Sequence, residues 1–444
     1  MTKAKLHTTA VILAAGLGTR MKSSLPKAMH RLGNRSMITH LIETAKQIFD
    51  DVVVVVGPHM PELERAAQPY RTVVQSERLG TGHAAKMAES LFGDGDVAIL
   101  YADNPLITAQ TMHRLLDARR SGASLSLLGM RPSDPGKYGR LIEENGHVLR
   151  IVEYKDATEA EREIDLCNAG VMCADANDFR RWLSELGNNN AQDEYYLTDV
   201  VEMAARSGQV LCVEAPEEEL AGVNSRAELA RAEATLQQRM RQAAMDGGVT
   251  LVAPETVFFS ADTQISQDVV IEPNVFFGPG VKIASGSVIR AFSHLEGCTV
   301  GEGAMIGPYA RLRPGTHCAT NSHVGNFVEL KNVELGTGAK DNHLTYLGDA
   351  SIGAGTNVGA GTITCNYDGV FKHRTVIGER TFIGSNSIFI APVEIGADAL
   401  VAAGSVITEN VSARALALGR ARQCEKPGRG LAIKHALKAK KEQG

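Results

Sequence analysis

The sequence predicts a Rossmann-like α/β domain, a linker helix and then a left-handed parallel β-helix, and three observations carry that prediction. Continuous apolar runs alternate with helical patterns over residues 1–224, the order of a parallel α/β sheet. Residues 225–248 are rich in Ala, Leu, Arg, Glu and Gln, which are strong helix formers. Across much of residues 249–425 an aliphatic residue returns every sixth position, the spacing of hexapeptide-repeat β-helices.

In the first domain "TTAVILAA" (8–15), "DVVVVVG" (51–57) and "DVAILYAD" (96–103) are continuous and largely β-branched, as strands covered on both faces should be. "SMITHLIETAKQIF" (36–49) and "GTGHAAKMAESLF" (80–92) read as helices between them. Open sheets of this kind bind ligands beyond the carboxyl ends of their strands. After the first strand comes "LAAGLGTRMKSSLPK" (13–27), where Gly16 and Gly18 let backbone approach a phosphate and Arg20 and Lys27 supply charge. The third glycine of a dinucleotide fingerprint is replaced by Met21, and the Lys-Ser/Thr ending of a P-loop is absent. On spacing alone a tight turn is an equally good account. "YAD" places Asp103 at the end of a buried strand, where a carboxylate needs a cation or donors. Magnesium bridging phosphates and an N-cap for the next helix are even alternatives there.

The stretch 225–246 has no internal Gly or Pro and its charges are mixed, so it reads as one exposed helix joining two rigid units. Beyond it, Ile265 to Leu295, Val300 to Leu330 and Ile377 to Ile407 each run in steps of six. The flat faces of such a prism favour association. The repeat fails twice. After Leu335 the inward slot falls to Asp341, beside His343 in "KDNHLTYLGD" (340–349); phase is lost again between Thr364 and Ile377, where "CNYDGVFKHR" (365–374) reads as a loop leaving the prism. The two interruptions are expected to meet in one site. His343 is the only residue of the first gap that exchanges a proton near neutral pH, although a lone His is more often structural.

Bulk properties set limits. The 444 residues are 44% hydrophobic with a net charge of -5 and a pI of about 6.2, a balance that calls for neither nucleic acid nor an anionic membrane as partner. Seven cysteines with no C-x-x-C pair point to reduced thiols and a cytoplasmic setting. "MTKAKLHTTAVILAAGLGTRMK" has lysines before an apolar run, but the run is short and passes into a Gly-rich loop, so it reads as a strand and not a secretory signal. No apolar stretch approaches the roughly 18 residues of a membrane span. The tail 426–444 is basic and reads as a solvated, disordered end.

Seven motifs in order, "LAAGLGTRM...LPK", "QSERLGTGHA", "LYAD.PL", "YGR", "VEYKDA", "NAG" and "GVNSR", resemble sugar-1-phosphate nucleotidyltransferases, most closely the N-acetylglucosamine-1-phosphate uridylyltransferase type. From Arg311 to Ser405, "RLRPG...HVGNFVELK...NHLTYLGD...NVGAGTITCNYDG...GS...AAGS" is similar to the acetyltransferase half of the bifunctional enzymes that make UDP-N-acetylglucosamine. The resemblance implies that Leu13, Ala14, Ala15, Gly16, Arg20 and Lys27 hold UTP and its phosphates, with Gln75, Gly80 and Thr81 on the base and ribose side and Tyr101 and Ala102 beside them. Gly139, Glu153 and Asn168 would bind the N-acetyl sugar, and Asp103 and Asn224 would hold Mg2+. In the second half His343 would be general base toward glucosamine 1-phosphate. Arg313 and Lys331 would bind the sugar phosphate, Tyr346 and Asn357 would complete that pocket, and Ala360, Asn366, Tyr367, Ser385, Ala403 and Arg420 would contact acetyl-CoA, some from a neighbouring subunit of a homotrimer. Three positions depart from the pattern: Ala102 in place of Gly, Tyr154 in place of His, and the flank "CNAG" around Asn168. The Ala102 methyl is expected to press on the backbone that approaches the nucleotide. Two readings compete with the bifunctional one: a single nucleotidyltransferase with a scaffolding β-helix, and a non-catalytic assembly protein. Cys365 leaves an acyl-cysteine route as an alternative to direct transfer.

Overall fold

The computed structural model describes residues 7–190 and 192–443. The first six residues of the N-terminal stretch, with its lysines, lie outside them. The chain divides into two compact units at Met240 and Arg241.

Strands Val210–Glu214, Leu125–Met130, Cys167–Asp175, Asp96–Tyr101, Thr8–Leu13, Asp51–Val56 and Arg71–Val74 lie side by side in that order in the first unit. All run parallel except Cys167–Asp175, which is antiparallel to both its neighbours. A hairpin of Arg140–Glu144 and His147–Val152 joins the sheet at Cys167. Successive residues of each central strand feed opposite cores: Ile12, Val54 and Leu100 pack with Ile38, Leu41 and Met112 of the helices on one face, and Val11, Val53 and Ile99 pack with Ala85, Phe179 and Trp182 on the other. Full burial of each Val, Leu or Ile is worth about 1.5–3 kcal/mol, which is why these runs carry no polar face. Ser36 and Thr108 cap two of the helices by accepting the N–H groups of Thr39 and Thr111. The strands Thr8–Leu13 and Asp96–Tyr101 are neighbours, so their carboxyl ends deliver Leu13–Gly16 and Tyr101–Asp103 to the same edge.

The helix Arg226–Asp246 is not solvated throughout, contrary to the sequence reading. Leu229, Ala232 and Leu236 form a stripe that packs on Leu32, Met37, Leu106 and Val223. Glu233 accepts the Gly33 N–H at 2.8 Å and Arg239 donates to the Leu106 carbonyl at 2.7 Å. The stripe has helical spacing, and the interspersed charges hid it.

The second unit is a three-faced parallel prism. Each coil passes from a first face (Val270–Ile271, Val288–Ile289, and so on to Leu416–Ala417) to a second and then a third, every strand pairing with the one a coil away. The six-residue columns are its interior: Ile289, Ile306 and Val324 from the first face, Leu295, Leu312 and Leu330 from the second, Ile283, Val300 and Cys318 from the third are all buried. The 365–374 segment leaves the prism as expected, with Val370 and Phe371 exposed. The tail differs from its prediction: Arg429–Glu442 is a helix, exposed along its length. Among the described residues no helix is long and apolar enough to cross a membrane.

Candidate active sites in the two halves

A cleft of about 390 Å³ opens at the carboxyl edge of the first sheet, lined by Leu13, Ala14, Ala15, Gly16, Lys27, Gln75, Gly80, Thr81, Tyr101, Ala102 and Asp103. Of the residues expected at the nucleotide only Arg20 is absent from its lining; it faces an adjoining cleft with Lys137, Gly222 and Asn224. The Lys27 ammonium donates to Asp103 Oδ2 at 2.5 Å and to Asn224 Oδ1 at 3.0 Å. Two residues 121 positions apart therefore aim oxygens at one cationic centre, and the Val223 N–H fixes the approach by donating to the Asp103 carbonyl at 2.8 Å. These are hard oxygen donors, so they fit Mg2+. Asp103 does not act as a helix N-cap: the following helix, Ala109–Arg120, is capped by Thr108.

Gln75 is buried, and its amide nitrogen is engaged by the Gly80 carbonyl at 3.1 Å and His83 Nδ1 at 3.2 Å. Only its carbonyl oxygen is thus open to a base edge. Arg78, which sequence reasoning passed over although it stands inside "QSERLGTGHA", lines the cleft and donates to the Ala15 carbonyl at 3.0 Å. Ala102 belongs to the buried core that also holds Ala14 and Ala28, and its N–H donates to the Leu13 carbonyl at 3.1 Å.

Gly139, Glu153 and Asn168 are brought together. The Asn168 N–H binds the Gly139 carbonyl at 2.8 Å, and a methyl on Gly139 would stand 3.6 Å from both Glu153 carboxylate oxygens. Burial raises the Glu153 pKa, against a bond from Thr198. Tyr101 lines the nucleotide cleft and lies close enough to Glu153 to feel its charge: its ring fills the space a Gly170 side chain would need, and the pKa of its hydroxyl, bonded to Thr81, is pushed up by burial. Tyr154 is accounted for by packing, with the Arg162 and Arg140 guanidinium groups 4.7 and 5.8 Å from its ring centre.

In the prism His343 ends the strand Lys340–His343 at the corner between the first and second faces, and the next strand begins at Tyr346. Its Nδ1 lies 2.7 Å from Asn326 Oδ1. The same corner recurs coil by coil: the Gly361 N–H binds the His343 carbonyl, Asn386 that of Ala360 and Gly404 that of Ser385. Ala360, Ser385 and Ala403 therefore continue the His343 column, with Arg420 beside Gly404.

Arg313, Lys331 and Tyr346 belong to the second face. Glu329 holds Arg313 at 2.9 Å, and Asp349 lies 3.8 Å from Lys331. Lys372 of the excursion stands beside Lys331 and lowers its pKa, with burial adding to the effect. The two interruptions do meet: Asn366 donates to Asp349 at 2.5 Å, and a methyl on Gly348 would lie 2.5 Å from the Tyr346 hydroxyl and 2.7 Å from the Asn366 amide. Lys372, Glu329 and Asp349 were missed; the charge of Lys372 within "CNYDGVFKHR" was the signal available. Asn357 is not with this group. It faces outward from the first face, in register with Lys340 and Phe382. Tyr367 is exposed on the excursion.

Asp341 is fully buried between Val324 and Val358 of adjacent coils. Thr345 stands beside it and favours the charged carboxyl, but the Thr345 hydroxyl donates to the His343 carbonyl at 2.8 Å, and among the described residues neither Asp341 oxygen has a well-formed hydrogen bond. Burial pushes its pKa up to about 7.

A MobA-like NTP transferase domain matches residues 10–151, and a hexapeptide repeat of succinyl-transferase matches residues 374–409. The chain is 76% identical over 444 residues to the bifunctional protein GlmU of Gluconobacter oxydans, covering all of both chains. It is 62% identical to that of Gluconacetobacter diazotrophicus (98% of this chain, 96% of the relative) and 58% identical to that of Acidiphilium cryptum (97% and 99%). With a nucleotidyltransferase half, a hexapeptide half and full-length relatives in agreement, the chain belongs to the GlmU family, the bifunctional enzymes that join uridylyl transfer to acetyl transfer in making UDP-N-acetylglucosamine.

Proposed function

We propose the following division of labour among this chain's residues. The prism acetylates glucosamine 1-phosphate with acetyl-CoA: Arg313, Lys331 and Lys372 bind the phosphate, and His343 takes a proton from the amine as nitrogen attacks the thioester carbon. Ala360, Ser385, Ala403 and Arg420, along the same corner, bind acetyl-CoA, with Asn366 and Tyr367 bordering the transfer point. The first unit then joins N-acetylglucosamine 1-phosphate to UTP. A sugar-phosphate oxygen attacks the α-phosphorus in line and pyrophosphate leaves, with the protein supplying position and charge.

In that step the Leu13–Gly16 backbone, Lys27 and Arg78 hold the nucleotide, Arg20 lies on the adjoining side, and Gln75, Gly80 and Thr81 meet base and ribose. Gly139, Glu153 and Asn168 orient the sugar across Tyr101. Asp103 and Asn224 would hold magnesium, which when bound would neutralise phosphate charge. Lys27 would then turn toward the phosphates. The observation that carries this reading is the convergence of Asp103 and Asn224 on the one ammonium of Lys27.

A homotrimer is supported by two features of the prism. Asn357 stands across a corner from Arg313 and Lys331, so a neighbouring copy is needed to unite them. Phe292, Tyr309 and Phe327 form an exposed stack on the His343 corner, with ring centres 4.9 and 5.2 Å apart, an apolar strip suited to self-association. Seven free thiols accord with a cytoplasmic enzyme.

Assaying both steps in His343→Ala and Asp103→Ala tests the assignment. The first is expected to lose acetyl transfer by about 10²-fold or more and to keep uridylyl transfer; the second should do the reverse. Acetylation at the parent rate in His343→Ala would remove His343 as the base.

A further inference from the structure

Among the described residues the His343 ring has a single hydrogen-bond partner, through Nδ1, the Asn326 side-chain oxygen at 2.7 Å. The two residues are register partners on adjacent coils, and the Leu344 N–H donates to the Asn326 carbonyl at 3.1 Å. The amide is therefore carried by backbone that cannot shift without breaking the corner. A neutral imidazole has one N–H and one lone pair, and an amide oxygen only accepts. The contact puts the hydrogen on Nδ1 and the lone pair on Nε2.

We propose that Asn326 is a positioning residue for acetyl transfer, holding His343 in the Nδ1–H tautomer so that Nε2 faces the substrate amine. The proposal rests on the reading of His343 as general base. In the step it serves, a C–N bond forms to the acetyl carbon as the C–S bond breaks. The proton leaving nitrogen passes to Nε2 and then to the departing thiolate, giving the free thiol.

An amide suits this task better than a carboxylate would. It orients the ring without placing a negative charge beside it, and such a charge would stabilise the imidazolium and slow release of the proton. The remaining ionisable surroundings are Lys340 on the same strand and His323 on the preceding coil, whose pKa is lowered by burial and then by Arg290, Lys340 and His343. Asp341 points into the prism, and Asn357 and Ala360 on the following coil are neutral.

The test is steady-state acetyl transfer by the full-length enzyme across about pH 5.5 to 9, with thermal unfolding as a folding control. Asn326→Ala is expected to lower kcat about 10–100-fold, as loss of a ligand-orienting partner does elsewhere, with KM for both substrates unchanged. Asn326→Asp, nearly isosteric, should keep kcat at high pH and move the acidic limb of the profile upward by about 1 pH unit or more. A parent-like kcat in Asn326→Ala, or an acidic limb that stays in place in Asn326→Asp, overturns the proposal. So does an Asn326→Asp enzyme faster than the parent at every pH, because the native amide would then be donating to Nδ1. His343→Ala is measured alongside: if it is inactive while Asn326→Ala is normal, only this proposal falls, and if it is active the base assignment falls first.

Discussion

The two halves place charge in opposite ways. In the α/β unit the ionic residues stand at strand ends and are matched: Lys27 satisfies Asp103 and Asn224 together. In the prism the repeat itself carries an ionisable residue inward, and among the described residues no cation and no well-formed hydrogen bond matches Asp341. The difference follows from architecture. A doubly wound sheet ends in loops that can be shaped around a ligand, whereas each prism coil has only three faces and three corners. His343 takes a corner at the end of its strand, and the inward position of that strand, which the repeat otherwise gives to an aliphatic residue, falls to Asp341.

The largest effect should come from removing the matched cation. Lys27→Ala leaves Asp103 and Asn224 without their shared donor and removes the proposed phosphate contact. Uridylyl transfer is expected to fall about 10²–10³-fold, the scale on which a preorganised charge contributes, with acetyl transfer unchanged. A loss confined to KM for UTP would make Lys27 a simple binder and weaken the contrast.

Asp341 gives the next effect, read in stability. Its folded pKa of about 7 lies above the ordinary 3.8, so the folded state holds the proton more tightly than the unfolded chain. Stability from this group is full below about pH 4 and is lost as pH rises toward 7, by up to about 4 kcal/mol at about 1.4 kcal/mol per pH unit. Asp341→Asn keeps the shape of the neutral acid and removes the titration. Unfolding midpoints should match the parent near pH 4 and exceed it by several degrees near pH 8. Equal midpoints at both values would mean that solvent reaches the carboxyl.

The same contrast governs what could be read from the residues alone. Period six located the prism interior because every coil repeats one environment, and it located His343 by its own failure. The stripe Leu229, Ala232 and Leu236 escaped notice because its neighbours are charged. In the α/β unit the strands were legible as apolar runs, but nothing in spacing could bring Asn224 to Asp103 across 121 positions; only the resemblance paired them. Lys372 and Arg78 were missed for the same reason, since a cation in a loop shows its charge and not its destination. Separation of Asn357 from Arg313 could not be read either, because it depends on which side of a corner a coil turns.

The smallest effect discriminates between two kinds of prism glycine. A methyl on Gly325 would lie 2.0 Å from the backbone oxygen of Asn342; backbone in a stacked coil cannot retreat, so Gly325→Ala should destabilise the prism. A methyl on Gly348 meets the Tyr346 hydroxyl at 2.5 Å and the Asn366 amide at 2.7 Å, both ends of side chains that can turn aside. The coil survives that change, and the displacement falls on Tyr346 and Asn366, beside the proposed acetyl-transfer point. Gly348→Ala should therefore lower acetyl transfer by about tenfold, about 1.4 kcal/mol, with an unfolding midpoint near the parent's. If Gly348→Ala were fully active, Tyr346 and Asn366 would lose their place at the reacting centre. The prism's chemistry would then rest on its His343 corner alone.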